Sequence, residues 1–176
     1  MTTLTTRTQA LALATELGAP AHLVRHLELV SEVAAQLAQA LRQAGVALDT
    51  ALVEVGAALH DAGKIVHPGE LHGPGEEHET AGERLLLERG VDPRVARCCR
   101  SHGRALELAA SLEEMLVGLA DNLWRGQRQP ALELAIVDRA ASLLGQDRWD
   151  LFPALDACFE ALAADGDVRL ARSAGD

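Results

Sequence analysis

Between residues 21 and 44 the apolar side chains Leu23, Leu27, Val30, Val33, Ala34, Leu37 and Leu41 recur every three or four positions, and Gly45 closes the run. That period fits an α-helix with one buried face and does not fit a strand. Further helices are marked by starters and stoppers along the chain: residues 8–17 before Gly18 and Pro20, 76–89 before Gly90, and a strongly apolar 112–124 after Ser111. A segment opened by Asp92-Pro93 runs to His102-Gly103, and two closing helices span 130–144 and 148–164. Alanine and leucine dominate, tyrosine is absent, and the aromatics are Trp124, Trp149, Phe152 and Phe159, so strand propensity is low throughout. The expected fold is all-α, a single helical bundle, and 176 residues suffice to bury its core without disulfide or metal staples.

The formal net charge of −10 argues against a broad nucleic-acid-binding face, because phosphate backbones are held by clustered cations and none are clustered here. A small anionic ligand held at metal ions stays compatible with it. Cys98, Cys99 and Cys158 are odd in number and lack CxxC spacing, which suits reduced thiols without assigned chemistry. Residues 1–14 carry a single cation, Arg7, and read as neither signal peptide nor membrane span, and no later stretch reaches transmembrane length. A cytoplasmic protein without membrane association is expected.

Chemistry concentrates where the apolar run Leu52-Val53-Glu54-Val55-Gly56-Ala57-Ala58-Leu59 meets His60-Asp61-Ala62-Gly63-Lys64. Leu52, Val55, Gly56 and Leu59 share a helical stripe. Asp49 is its N-cap, His60 and Asp61 fall in its last turn, and Gly63 is its expected stop. An imidazole and a carboxylate against an apolar wall are costly to desolvate unless paired or bound to a cation. For an isolated pair, a core histidine bonded to a carbonyl is the plainer reading. The rest of the chain shifts that balance: His26, His60-Asp61, His78, His102 and Asp121 stand on different predicted helices, and a bundle core lets facing helices aim such ligands at one point. Mixed histidine and aspartate sets suit iron, manganese or zinc rather than calcium. The loop at 65–75 carries His67 and His72 toward the same end, and His22 lies one turn before His26; these three are left without a role.

Lys64 is the only lysine in the chain, although arginine serves every other basic position. A compact ammonium there can bond a phosphate oxygen or a water at the site, a task that suits the flat guanidinium fork less well. Arg25, Arg100, Arg104 and Arg125 lie near the ligands in sequence and read as solvated. Other motifs fail on inspection. His78-Glu79-Thr80-Ala81-Gly82 lacks the second histidine of HExxH, Gly63-Lys64 is not a P-loop, and no Gly-x-Ser-x-Gly elbow occurs.

The ordered set, with Leu59-His60-Asp61-Ala62-Gly63-Lys64, His78-Glu79-Thr80-Ala81-Gly82 and Ala120-Asp121 as its best local matches, resembles the HD-domain superfamily of metal-dependent phosphohydrolases, in its binuclear six-ligand form. The resemblance covers residues 21–128. Residues 1–20 then form a flanking helix, 129–165 complete the same domain, and 166–176 read as a flexible tail. It implies that His26, His60, Asp61 and Asp121 bind one divalent metal and that His78 and His102 bind a second. Asp61 bridges the two, beside a water or hydroxide that attacks phosphorus, and Asp61 and Lys64 are the catalytic residues. Iron or manganese are the expected metals, two per chain, with zinc, cobalt or nickel as alternatives. The implied substrate is a phosphomonoester or phosphodiester of a small molecule, foremost a nucleotide, and no long nucleic acid. Ser101-His102-Gly103-Arg104 stands where the cyclic-dinucleotide branch carries GYP, which speaks against that substrate. Two other readings fit the same scaffold: a di-iron oxygenase and a non-catalytic regulatory module.

Overall fold

The computed structural model describes residues 3–71 and 73–174, so His72 lies outside the described residues. Among these the architecture is all-helical. Helix α1 (Arg7–Glu16) opens with a capping box between Thr6 and Gln9. Helix α2 (Ala21–Gln43) starts after Pro20 and buries the whole predicted stripe from Leu23 to Leu41. Helix α3 (Thr50–Ala57) begins where the Asp49 carboxylate accepts the Leu52 amide, and α4 (Glu77–Glu88) and α5 (Pro93–Ser101) follow. Ser111 and Glu114 box the start of α6 (Leu112–Leu123), and α7 (Pro130–Leu144) ends at Gly145 with φ 63°. Helix α8 (Arg148–Ala164) and α9 (Gly166–Ser173) close the chain. None of the helices described is long and apolar enough to cross a membrane.

Helices α2, α3 and α6 pack against one another as the centre of the fold. One apolar cluster joins the C-terminal half of α2 to α6, α7 and α8; a second joins the N-terminal half of α2 to α1, α3 and α5. The charged cluster described below sits where these two apolar bodies meet.

Two expectations are corrected. Helix α3 does not run through Asp61; it stops at Ala57, and residues 58–61 form a turn leading into a 3₁₀ segment, Ala62–Ile65. The cause is local competition for carbonyls. His60 Nδ1 bonds the Ala57 oxygen at 2.7 Å, the acceptor a continuing helix would offer to the Asp61 amide, and Cys99 Sγ donates to the Leu59 oxygen at 3.2 Å. Gly63 is accordingly not a left-handed stop. A Cβ there would overlap the His78 carbonyl oxygen and stand 2.7 Å from the Gly82 nitrogen, so the glycine serves close approach of backbones. The second correction concerns the expected flexible tail, which over Gly166–Ser173 is a docked helix. Arg169 is 6% exposed. Its guanidinium donates to the carbonyls of Trp124 (2.9 Å), Leu123 (3.0 Å) and Leu162 where α6 and α8 end, the Leu123 oxygen also accepting from the Gly126 amide at 3.0 Å. A cation at two helix C-termini also opposes their dipoles favourably.

Candidate metal centre

Six side chains from five places in the fold converge. His26 projects from the second turn of α2, His60 and Asp61 from the turn after α3, and His78 from the first turn of α4. His102 is the C-cap of α5, and Asp121 stands in the last turn of α6. Asp61 is the hub. Its Oδ2 lies 3.2 Å from His26 Nε2 and 3.6 Å from His60 Nε2, while its Oδ1 lies 3.3 Å from His78 Nε2 and 3.7 Å from His102 Nε2. Asp121 Oδ1 is 3.4 Å from both His26 Nε2 and His60 Nε2. One carboxylate therefore divides four imidazoles into two pairs, and a second carboxylate completes one of the pairs.

These contacts are not ordinary hydrogen bonds. The Nε2 atoms of His26, His60 and His78 and the Oδ1 of Asp61 are buried without a hydrogen-bond partner among the described residues. Unpaired polar atoms of this kind cost about 1–3 kcal/mol each and are rare in native folds unless something else satisfies them. Because the orphaned atoms point at one another across gaps set by two carboxylates, the donor set fits divalent cations with borderline nitrogen and oxygen preference.

The opposite ring nitrogens are anchored. His60 Nδ1 bonds Ala57, His102 Nδ1 bonds the Cys99 oxygen at 2.9 Å, and His78 Nδ1 meets the Glu70 carboxylate at 2.5 Å. Each anchor presents Nε2 as the atom that faces the centre. His26 is braced by Trp124, whose ring meets it edge-on at 5.0 Å between centroids, so Trp124 packs against the cluster. Two glycines seat the remaining histidines: Gly63 admits the His78 carbonyl, and Gly118 admits that of His102, which any Cβ on α6 would strike.

Lys64 Nζ donates to Asp61 Oδ2 at 2.6 Å, and its side chain is 23% exposed, within reach of both the hub and solvent. The electrostatics are strongly coupled. Burial opposes a charge on His26, but the carboxylates of Asp121 and Asp61 outweigh it and raise its pKa to about 9. Burial pushes Asp61 up, and the imidazoles of His60, His26, His78 and His102 overturn this and hold it well below the usual carboxylate range; Asp121 follows the same logic through His26 and His60. His102 moves down, by burial and then by the charge of His60, whereas His78 moves up because Asp61 and Glu70 overcome its burial.

Other candidates fall outside the cluster. His22 is exposed on the first turn of α2, and His67 faces the exposed Glu77 at 3.6 Å. Arg25 pairs with Glu28 and Arg100 with Glu83, so neither faces the centre. Arg125 and Arg104, the latter paired with Glu107 at 3.0 Å, line with His102, Asp121, Asn122 and Gln129 a cleft of about 360 Å³ that opens onto the cluster. Cys98 and Cys99 are buried, and burial raises both thiols. Sequence reasoning missed Glu70 altogether, because a loop glutamate eight residues before a histidine carries no signal in a single sequence. It also passed over Glu79, buried beside His78, whose carboxyl burial pushes up.

Comparison with known proteins agrees with this geometry. The HD domain matches residues 23–142, about two thirds of the chain. The chain belongs to the HD-domain family. Its members are typically metal-dependent phosphohydrolases, and the buried histidine and aspartate cluster is consistent with the HD metal site. An uncharacterized protein of Methanocaldococcus jannaschii is 32% identical over 127 residues, 64% of this chain and 72% of that protein. A tRNA (cytidine(56)-2'-O)-methyltransferase of Thermoplasma volcanium is 28% identical over 134 residues, 68% of this chain but 36% of that protein, so the chain spans about a third of its length. No solved structure matches.

Proposed function

We propose that this HD-domain protein is a phosphohydrolase of small phosphate esters, foremost nucleotides, that works with two divalent cations. His26, His60, Asp61 and Asp121 would hold one cation, and Asp61, His78 and His102 the other. The observation that carries this reading is the division of four inward-facing imidazoles, His60 and His78 buried and His26 and His102 half-buried, between the two oxygens of Asp61, with Nε2 of three of them left without a hydrogen bond. When bound, such a pair of cations makes a nucleophile of water near neutral pH and offsets the negative charge that builds on phosphoryl oxygens.

The chain supplies the rest. Lys64, held against Asp61 Oδ2 at 2.6 Å, places an ammonium where a phosphoryl oxygen or the attacking water would come to rest. Arg125 offers the adjacent cleft a guanidinium, while Arg104 is paired there with Glu107 at 3.0 Å, and the net charge of −10 disfavours a long polyanion. Asn122 is pre-set in that cleft, its Nδ2 donating to the Gly118 oxygen at 2.9 Å and its Oδ1 accepting from Gln129 Nε2 at 3.2 Å. Among the described residues no tryptophan or phenylalanine ring lines the cleft, so recognition of a nucleobase falls to these carboxamides rather than to stacking on such a ring.

The test pairs elemental analysis of protein purified without chelator with phosphate release from a panel of nucleotides and simple phosphate esters in manganese or iron. The expected result is about two metals per chain and ester hydrolysis, both lost in Asp61→Ala. Oxygen-dependent oxidation without phosphate release would replace the proposal with a di-iron oxygenase. A folded protein that takes up no metal under any loading would replace it with a regulatory module.

A further inference from the structure

Among the anchors of the centre, Glu70 is distinctive. It belongs to neither α3 nor α4 but to the segment between them, in the 3₁₀ turn Pro68–Leu71. Its side chain is 11% exposed, and it holds three donors at once. Oε2 accepts from the His78 amide at 3.1 Å and meets His78 Nδ1 at 2.5 Å, while Oε1 accepts from the Glu77 amide at 3.2 Å. The N-cap residue of α4, Glu76, makes no side-chain cap bond, so the first amides of that helix depend on Glu70. Gly75 permits this enclosure, since a Cβ there would stand 2.6 Å from Glu70 Cγ. His60 and His102 have their Nδ1 atoms against backbone carbonyls; His78 has a full carboxylate.

We propose that Glu70 is the positioning residue of the His78 half of the centre, fixing the ring so that its Nε2 lone pair faces Asp61 Oδ1 and strengthening that nitrogen as a ligand for the second cation. The inference rests on the two-cation reading above. A carboxylate behind an imidazole fixes its tautomer and orientation and raises its basicity, and loss of such a partner lowers metal affinity by about 10–100-fold. Because the same carboxylate caps α4, it also sets where that helix, and with it His78, begins. Its effect should be confined to one half of the centre: among the described residues the ion pairs of His26, His60 and Asp121 run to Asp61 and to one another, and none runs to Glu70.

The probe is manganese(II), titrated into metal-free wild type, Glu70→Ala, Glu70→Gln and His78→Ala, with stoichiometry read by elemental analysis and pairing by electron paramagnetic resonance. Wild type should bind two ions and show the spectrum of a coupled pair. Glu70→Ala should keep the first ion at unchanged affinity, bind the second about 10–100-fold more weakly, and show the six-line signal of an isolated ion at one equivalent. His78→Ala sets the limit of complete loss at the second position. Glu70→Gln keeps an oxygen for the α4 amides but not the charge, so it should weaken the second ion while retaining wild-type thermal stability; this covers the case in which Glu70→Ala fails to fold. Two ions bound equally well and still coupled in both Glu70 variants would overturn the positioning role and leave the two-cation reading intact. One ion or none in wild type would overturn both.

Discussion

Replacing Gly63 by alanine tests the geometry of the centre without touching a ligand. A Cβ at this position would overlap the His78 carbonyl oxygen, stand 2.6 Å from its carbonyl carbon and 2.7 Å from the Gly82 nitrogen, whereas ordinary contact begins at 3.4 Å. All of these are backbone atoms, so no side chain can rotate away. Restoring contact to the carbonyl carbon alone moves the start of α4 by about 0.8 Å, and the oxygen demands more. His78 rides on that turn, so its 3.3 Å approach to Asp61 Oδ1 opens by a similar amount. Overpacking of this kind costs about 1–3 kcal/mol of stability, and a displacement near 1 Å at a reacting centre lowers turnover by about 100-fold. Denaturant unfolding, metal stoichiometry and phosphate release on the same preparation read the three consequences separately. The expected pattern is a modest stability loss, one retained metal and a large loss of turnover. A Gly63→Ala protein with wild-type stability, two metals and full activity would refute the claim that the 62–65 turn and α4 meet backbone to backbone.

Four further outcomes follow from the same geometry. Gly118→Ala should displace His102 in the same way, because its Cβ would strike the His102 carbonyl oxygen, and a crystal structure or metal count would show it. Lys64→Met should lower kcat by about 10–1,000-fold with metal content unchanged, since the ammonium contacts Asp61 without being a donor to a cation. In metal-free protein the His26 pKa of about 9, above its ordinary 6.5, contributes stability that is complete below pH 6.5 and is lost as pH rises through 9, so the Tm of chelated protein should fall over that window; because a cation must displace that proton, metal affinity should instead climb with pH across it. Arg169→Ala should cost about 2–4 kcal/mol by removing the guanidinium from the carbonyls of Trp124 and Leu162 and leaving Leu123 only its Gly126 amide, with metal stoichiometry preserved.

What the sequence disclosed and what it hid divide along one physical line. Periodicity reports burial, and it placed α2 and α7 nearly to the residue because each buries a stripe against the core, while α6, buried on all sides over residues 114–120, was marked by its apolar run and its Ser111 cap. The six-residue cluster was legible for a related reason: charged and imidazole side chains at the ends of apolar helices are too costly to be scattered by chance. The end of α3 at the centre was not legible, whereas the close of α5 at His102 was. The stop at Ala57 depends on where the His60 ring finds an acceptor, and the role of Gly63 depends on α4, a helix that begins fourteen residues later in the chain. The tail was misread because Gly166, Asp167 and Arg169 look polar and flexible, yet a buried guanidinium that donates to three helix-end carbonyls docks the segment without an apolar stripe. Glu70 shows the same limit most plainly. A ligand is announced by its chemistry, but the residue that aims it is announced only by position in space, and loop residues acquire that position from the elements they bridge. The supports of His78 and His102 (Glu70, Gly63 and Gly118) are all of this kind, whereas His26 stands within a long helix whose stripe the sequence already marks. The half of the centre that was hardest to read is therefore the half that rests on tertiary contacts, and substitutions remote in sequence should disable it before they disturb the other.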